Sequence, residues 1–269
     1  TSPIDILRLR LNKIAANDFN VLIRGDSGTG KETVAWVIHE LSSRRNKPFF
    51  VLNCAGLPDE LLESEMFGYK KGSHNQAYND SCGILESADG GTLFLDELPE
   101  MSPRIQAKLL RFLESGEYRP LGSTENRHSD IRILAAGQSL RLDAKKSLRS
   151  DLLSRIGQLD VDLLPLRKLE KQSPGTLYKI AFILLERYTW TTIFTGSRVH
   201  ELTPLDIKRF QDRLALQENL DLLVMQQWKI SNIRELNNFL RKWIVFGDTE
   251  MIHLKQSQSP PRQENGVED

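Results

Sequence analysis

The sequence predicts an α/β protein: a parallel sheet covered by helices on both faces, followed by a smaller all-helical subdomain. Three observations point there. Apolar runs of buried-strand length alternate with segments of helical periodicity as far as residue 163. A glycine-rich loop joins the first such run to the helix after it. Beyond "LLPLRKL" (163–169) the apolar residues recur at helical spacing only.

The elements follow in chain order. "IDILRLRLNKIAA" carries Ile4, Leu7, Leu11 and Ile14 at helical spacing. "FNVLIRG" is a short apolar run ending in glycine, a buried strand, and "ETVAWVIHELS" is the helix beyond the loop. "PFFVLNC" is a second strand, and "PDELLESEMF" opens with Pro-Asp and continues as a helix. "GTLFLDE" is a third buried strand. "SPRIQAKLLRFLESG" is a helix with Ser102 at the N-cap, Pro103 at its first position and Gly116 at its end. "EYRPLG" reads as a short strand and "IRILAAG" as a further one. "TLYKIAFILLERY", "PLDIKRFQDRLAL" and "NIRELNNFLRKWIVF" supply the later helices. The expected boundaries are 1–167 for the α/β subdomain, 168–254 for the helical lid, and 255–269, polar with a Pro-Pro step, for a disordered linker.

Composition narrows the class. At 269 residues the chain buries enough surface to need no staples. Lys+Arg and Asp+Glu both number 36, so the main grip on nucleic acid is expected outside this chain. The two cysteines, Cys54 and Cys82, form no disulfide framework and are expected to be small buried thiols in a reducing cytosol. No apolar run approaches bilayer length and no signal peptide opens the chain, so no membrane partner and a cytoplasmic location are expected. Without an initiator Met, it reads as a piece of a longer protein.

"GDSGTGKE" supplies the chemistry. Between a strand and a helix, G-x4-G-K is a P-loop. Gly25, Gly28 and Gly30 let backbone N–H groups of the loop, through Asp26, Ser27 and Thr29, turn inward around a phosphate. The helix N-terminus adds positive potential, and Lys31 reaches the β- and γ-phosphates. Glu32 stands where the general pattern has Ser or Thr, with Thr33 next. At the end of "GTLFLDE", Asp96 is placed to hold Mg²⁺ directly or through water, and Glu97 to orient the attacking water.

These segments resemble one family. "GDSGTGKETVA", "NCAGLPDELLESEMFG", "ADGGTLFLDELPEMSPRIQAKLLRFLESGEYRPLGS", "LRSDLLSRI", "LLPLR" and "NIRELNNFL" look like the AAA+ domain of bacterial enhancer-binding proteins, the activators that work with sigma-54. The likeness runs from about residue 3 to 254. It implies an AAA+ P-loop fold, three layers around a parallel sheet with a helical lid, and ATP with Mg²⁺ as ligands. Glu32 is usual in that family. The resemblance implies that Asn53 holds the catalytic glutamate in check. It implies that Arg149 and Arg155 reach the ATP of the next subunit, so that hydrolysis needs a ring. Arg234 matches the lid arginine that reads the γ-phosphate.

Two departures stand out. After the paired alanines of "IRILAAGQS" the family has Thr-Asn, a γ-phosphate sensor, whereas this chain has Gly137 and Gln138. Within "EMFGYKKGSHNQAYNDSCG" (65–83), the sigma-54-contacting Gly-Ala-Phe-Thr-Gly-Ala is replaced by Gly72, Ser73, His74, Asn75, Gln76 and Ala77. The exposed aromatic, a plausible partner anchor, is gone. A smaller departure, Lys-Ile-Ser before Asn232, affects lid geometry.

The expected function is therefore an ATP-binding regulatory domain of a transcription regulator, oligomerising and acting independently of sigma-54. Two alternatives stay open: an ATP-hydrolysing motor whose altered loop remodels another protein, and a non-hydrolysing, nucleotide-gated scaffold. The resemblance also implies RNA polymerase as a partner and promoter DNA bound through a C-terminal domain outside this chain. Relatives with altered loops add cyclic di-GMP as a possible ligand.

Overall fold

The computed structural model describes residues 3–73, 77–138, 148–176, 180–181 and 233–236. The chain divides into two compact units, Thr1–Leu164 and Pro165–Asp269. Within the second, the described residues include helix α7 (Leu166–Gln172) and a helical stretch at 233–236. Most of the three expected lid helices, the linker at 255–269, and His74, Asn75 and Gln76 lie outside the described residues.

The first unit is built on a five-stranded parallel sheet. Its strands are β1 (Val21–Gly25), β2 (Phe49–Asn53), β3 (Thr92–Asp96), β6 (Arg132–Gly137) and β7 (Leu159–Leu163). Their order is β2-β3-β6-β1-β7. Because side chains alternate along a strand, each central strand feeds two cores. Leu22, Leu93, Leu95, Ile133 and Ala135 join one, under α3 (Asp59–Phe67), α5 (Pro103–Ser115) and α6 (Ser150–Ile156). Val21, Ile23, Phe94, Leu134, Ala136 and Val161 join the other, under α1 (Pro3–Ala15) and α2 (Lys31–Glu40). That is the α/β three-layer arrangement expected from uninterrupted apolar runs.

Three local outcomes differ from expectation or extend it. Ser102 occupies the N-cap position of α5, yet its buried hydroxyl makes no cap hydrogen bond. Its carbonyl instead accepts from Gln106 N–H at 3.0 Å. Cys82 is exposed, not buried. It follows the bridge between Tyr69 and Ser81, and the next residue, Gly83, is pressed against the Phe67–Gly68 backbone, which leaves Cys82 facing outward. "EYRPLG" forms β4 (Glu117–Tyr118), whose antiparallel partner is β5 (Arg127–His128), and a short helix α4 (Ile84–Ser87) precedes β3.

Candidate functional site

In a parallel sheet ligands gather at the carboxyl ends of the strands. Here that edge carries Gly25, Asn53, Asp96 and Gly137 as strand-terminal residues. β2 and β3 are in register so that Asn53 lies opposite Asp96.

The P-loop leaves β1 at Gly25, where space is short. A Cβ there would come within 2.6 Å of Thr29 Oγ1 and 3.1 Å of Leu163 Cβ. Gly28 (φ 73) and Gly30 (φ 91) both take the left-handed conformation that glycine tolerates. Thr29 closes the loop by donating its hydroxyl to Asp26 O at 2.9 Å. Lys31 is 7% exposed and its Nζ donates to the carbonyls of Gly25 (3.2 Å) and Asp26 (3.3 Å). Glu32 and Thr33 sit exposed on the first turn of α2.

The carboxylate arm comes from β3. Asp96 Oδ1 accepts the N–H of Glu97 at 3.0 Å. Glu97 has φ 51 and ψ 45, and among the described residues it is the one non-glycine with positive φ. That conformation costs about 1–3 kcal/mol and is held by its surroundings. A one-turn 3₁₀ segment, Leu98–Glu100, follows directly, with the Glu100 N–H donating to Glu97 O at 2.9 Å. Across the edge, Glu97 Oε1 lies 4.0 Å from Lys31 Nζ. The P-loop lysine and the carboxylate turn, 66 positions apart in "GDSGTGKE" and "GTLFLDE", are thus brought together.

Asn53 is engaged locally: its Oδ1 accepts from Ala55 N–H at 2.9 Å. Beneath the edge, the buried Cys54 thiol is pushed up to about 12, chiefly by burial, with Asp96 and Glu97 adding to it. It stays protonated and inert at neutral pH. Arg149 and Arg155 are half-exposed on and beside α6, paired with Asp151 (2.7 Å) and Glu114 (3.6 Å). Arg234 is exposed in its helical stretch.

Two contributors were not singled out from the sequence. Leu163 ends a strand of alternating "LDVDL", an edge pattern shorter and more acidic than the runs that marked the other strands. Pro99 packs on Gly137, where a Cβ would come within 2.9 Å of its ring carbons. A proline two residues beyond an acidic pair could have drawn notice, but its contact is long-range.

Comparison with known proteins adds four findings. The model of the sigma-54 interaction domain matches residues 3–162. The chain is 43% identical over 256 residues to the hydrogenase transcriptional regulatory protein HoxA of Cupriavidus necator, covering 94% of this chain and 49% of HoxA. It is 39% identical over 241 residues to the Nif-specific regulatory protein of Rhizobium etli, covering 89% of this chain and 38% of that protein. The crystal structure of NtrX from Brucella abortus in complex with ATP is similar with a TM-score of 0.71 at 25% identity, over 91% of this chain and 52% of NtrX. This chain spans about half of the length of these relatives, or less.

Proposed function

The chain belongs to the sigma-54 interaction domain family of bacterial transcriptional regulators, and from that premise we propose that it is an ATP-binding, oligomer-forming regulatory ATPase domain that does not act on sigma-54. The observation that carries the nucleotide assignment is the meeting of Lys31 and Glu97 at 4.0 Å across the carboxyl edge of the sheet.

The roles follow from chemistry. Lys31 exchanges two carbonyl partners for phosphate oxygens, a charge-assisted gain. Inward-facing backbone N–H groups of the loop and the start of α2 cradle the phosphates. Asp96 offers hard oxygen donors of the kind Mg²⁺ takes, and bound Mg²⁺ neutralises charge on the phosphoryl group. Glu97 orients and polarises the attacking water. The exposed ion pairs of Arg149 and Arg155 are weak, so either arginine can leave its partner for the ATP of a neighbouring subunit. Arg234 reads the nucleotide from the lid. Asn53, opposite Asp96, restrains Glu97 when its side chain turns from Ala55.

Independence from sigma-54 rests on the loop between α3 and α4. Its stem is closed by a Gly72 N–H bond to Ala77 O (2.9 Å), and by Asp80, which pairs with Lys70 (2.7 Å) and accepts the Lys71 N–H (2.8 Å). The stem frames a polar Ser-His-Asn-Gln sequence with no aromatic at its tip, and the loop's exposed aromatic, Tyr78, lies at the stem beside Ala77. One observation favours the scaffold reading instead: Gly137, at the end of β6, has no side chain with which to sense a γ-phosphate.

Hydrolysis per subunit measured against protein concentration tests the assignment. The expected rate rises with concentration and is lost in Glu97→Gln and in Arg155→Ala. Binding without turnover at every concentration supports the scaffold. Stimulated open-complex formation by sigma-54 polymerase, with this loop intact, overturns the independence.

A further inference from the structure

We propose that the contact of Pro99 with Gly137 is a positioning device that holds Glu97 toward Lys31; the inference rests on the reading of Glu97 as the residue facing nucleotide. Gly137 ends β6, which lies between β3 and β1 in the sheet. A Cβ on it would lie 2.9 Å from both Cγ and Cδ of Pro99, well inside carbon–carbon contact distance. The proline ring has no rotamer by which to withdraw. A side chain at 137 and a proline at 99 therefore exclude each other.

Pro99 lies in the one-turn 3₁₀ segment, Leu98–Glu100, that directly follows Glu97. Leu98 and Pro99 are both buried, and Met101 N–H donates to Leu98 O at 3.1 Å. Glu97 itself holds a backbone conformation that non-glycine residues avoid. A turn pinned at Leu98 and Pro99 leaves Glu97 little freedom to relax. The flat face of Gly137 is the seat on which that turn rests, so its missing side chain is the complement of Pro99. Pro99 and Gly137 touch neither nucleotide nor water in this account; they act through Glu97.

The test is the effect of Glu97→Gln on ATP affinity in four backgrounds: wild type, G137T, P99A and P99A/G137T. With Glu97 held beside Lys31, removing its charge is expected to tighten ATP by about fivefold in the wild type. G137T displaces the turn, so the gain disappears, and turnover falls about tenfold while ADP affinity stays put. P99A alone loosens the turn and weakens both readouts in part, and because it also removes the clashing ring atoms, P99A/G137T returns both above the G137T level. If G137T is insoluble, a soluble P99A/G137T is itself the rescue. The inference is overturned if G137T keeps the wild-type Glu97→Gln effect and turnover, or if P99A restores neither. A wild-type chain with no turnover would sink the hydrolytic reading alone, because the affinity arm needs none.

Discussion

The two edges of the same sheet are built to opposite rules. At the amino edge, long-range side chains tie the strand starts to their surroundings. Arg132, 1% exposed, donates from Nε to Phe19 O (3.1 Å) and from a terminal nitrogen to Ile14 O (2.9 Å). Arg44 forks onto Asp130 (3.0 and 3.2 Å) and also reaches Gly91 O (3.1 Å). Asn20 takes the Ile133 N–H at 3.0 Å, and His39 meets Thr92 Oγ1 at 3.0 Å under the ring of Phe49. At the carboxyl edge, glycines end β1 and β6, a lysine bonds to its own loop, and a glutamate sits in a disfavoured backbone conformation. Burial and long-range hydrogen bonds hold one edge together, even though one terminal nitrogen of Arg132 is buried without a partner. The other keeps strain and exchangeable bonds where a ligand can use them.

Substitutions at each edge sharpen this contrast. The largest effect is expected from Glu97→Gln: turnover falls about a hundredfold or more while the melting temperature holds or rises, because a water-orienting group is lost without a packing contact. Comparable loss of stability and turnover would erase the distinction between the edges. Next is Arg132→Ala, which strips a hydrogen bond from the buried Ile14 carbonyl and another from the Phe19 carbonyl, and should cost about 3 kcal/mol in urea unfolding. ATP affinity of the folded protein should not change.

His39 gives a smaller, pH-dependent signature. Burial lowers its pKa below 6.5, outweighing Glu40, which raises it, and nearby Arg132 lowers it further. The unfolded chain then binds a proton that the folded chain resists. Stability is full above pH 6.5 and falls as pH drops toward the lowered value. His39→Gln should flatten that fall by up to one proton, read from unfolding curves between about pH 7.5 and 5. The smallest effect is expected at Asp80, whose pKa is lowered chiefly by its hydrogen bond from Lys70. The pair is exposed, so Asp80→Asn should leave both melting temperature and ATP affinity where they were.

The carboxyl edge was the legible one. "GDSGTGKE" and "GTLFLDE" mark it because phosphate chemistry demands a local run of residue types, and a local run is what a sequence displays. The central strands were equally plain, since burial on both faces leaves uninterrupted apolar runs. The amino edge left no trace. Arg44, Arg132, Asp130 and Asn20 are ordinary polar residues whose partners lie up to 118 positions away, and no motif announces a clamp made by tertiary contact. β7 escaped for a related reason, because "LDVDL" alternates as a half-exposed edge strand does. β5 escaped because two residues are too few to show any period. The seat of Pro99 on Gly137 shows the same limit inside the site, where absence of a side chain reads as loss until its neighbour is seen.

The most direct measurement is a titration of ATP into wild type and Lys31→Ala, each also followed through thermal unfolding. If the carboxyl edge is the nucleotide site, Lys31→Ala weakens ATP binding by about a hundredfold and melts with the wild type in the absence of nucleotide. ATP affinity unchanged by Lys31→Ala would contradict the assignment of this edge to nucleotide.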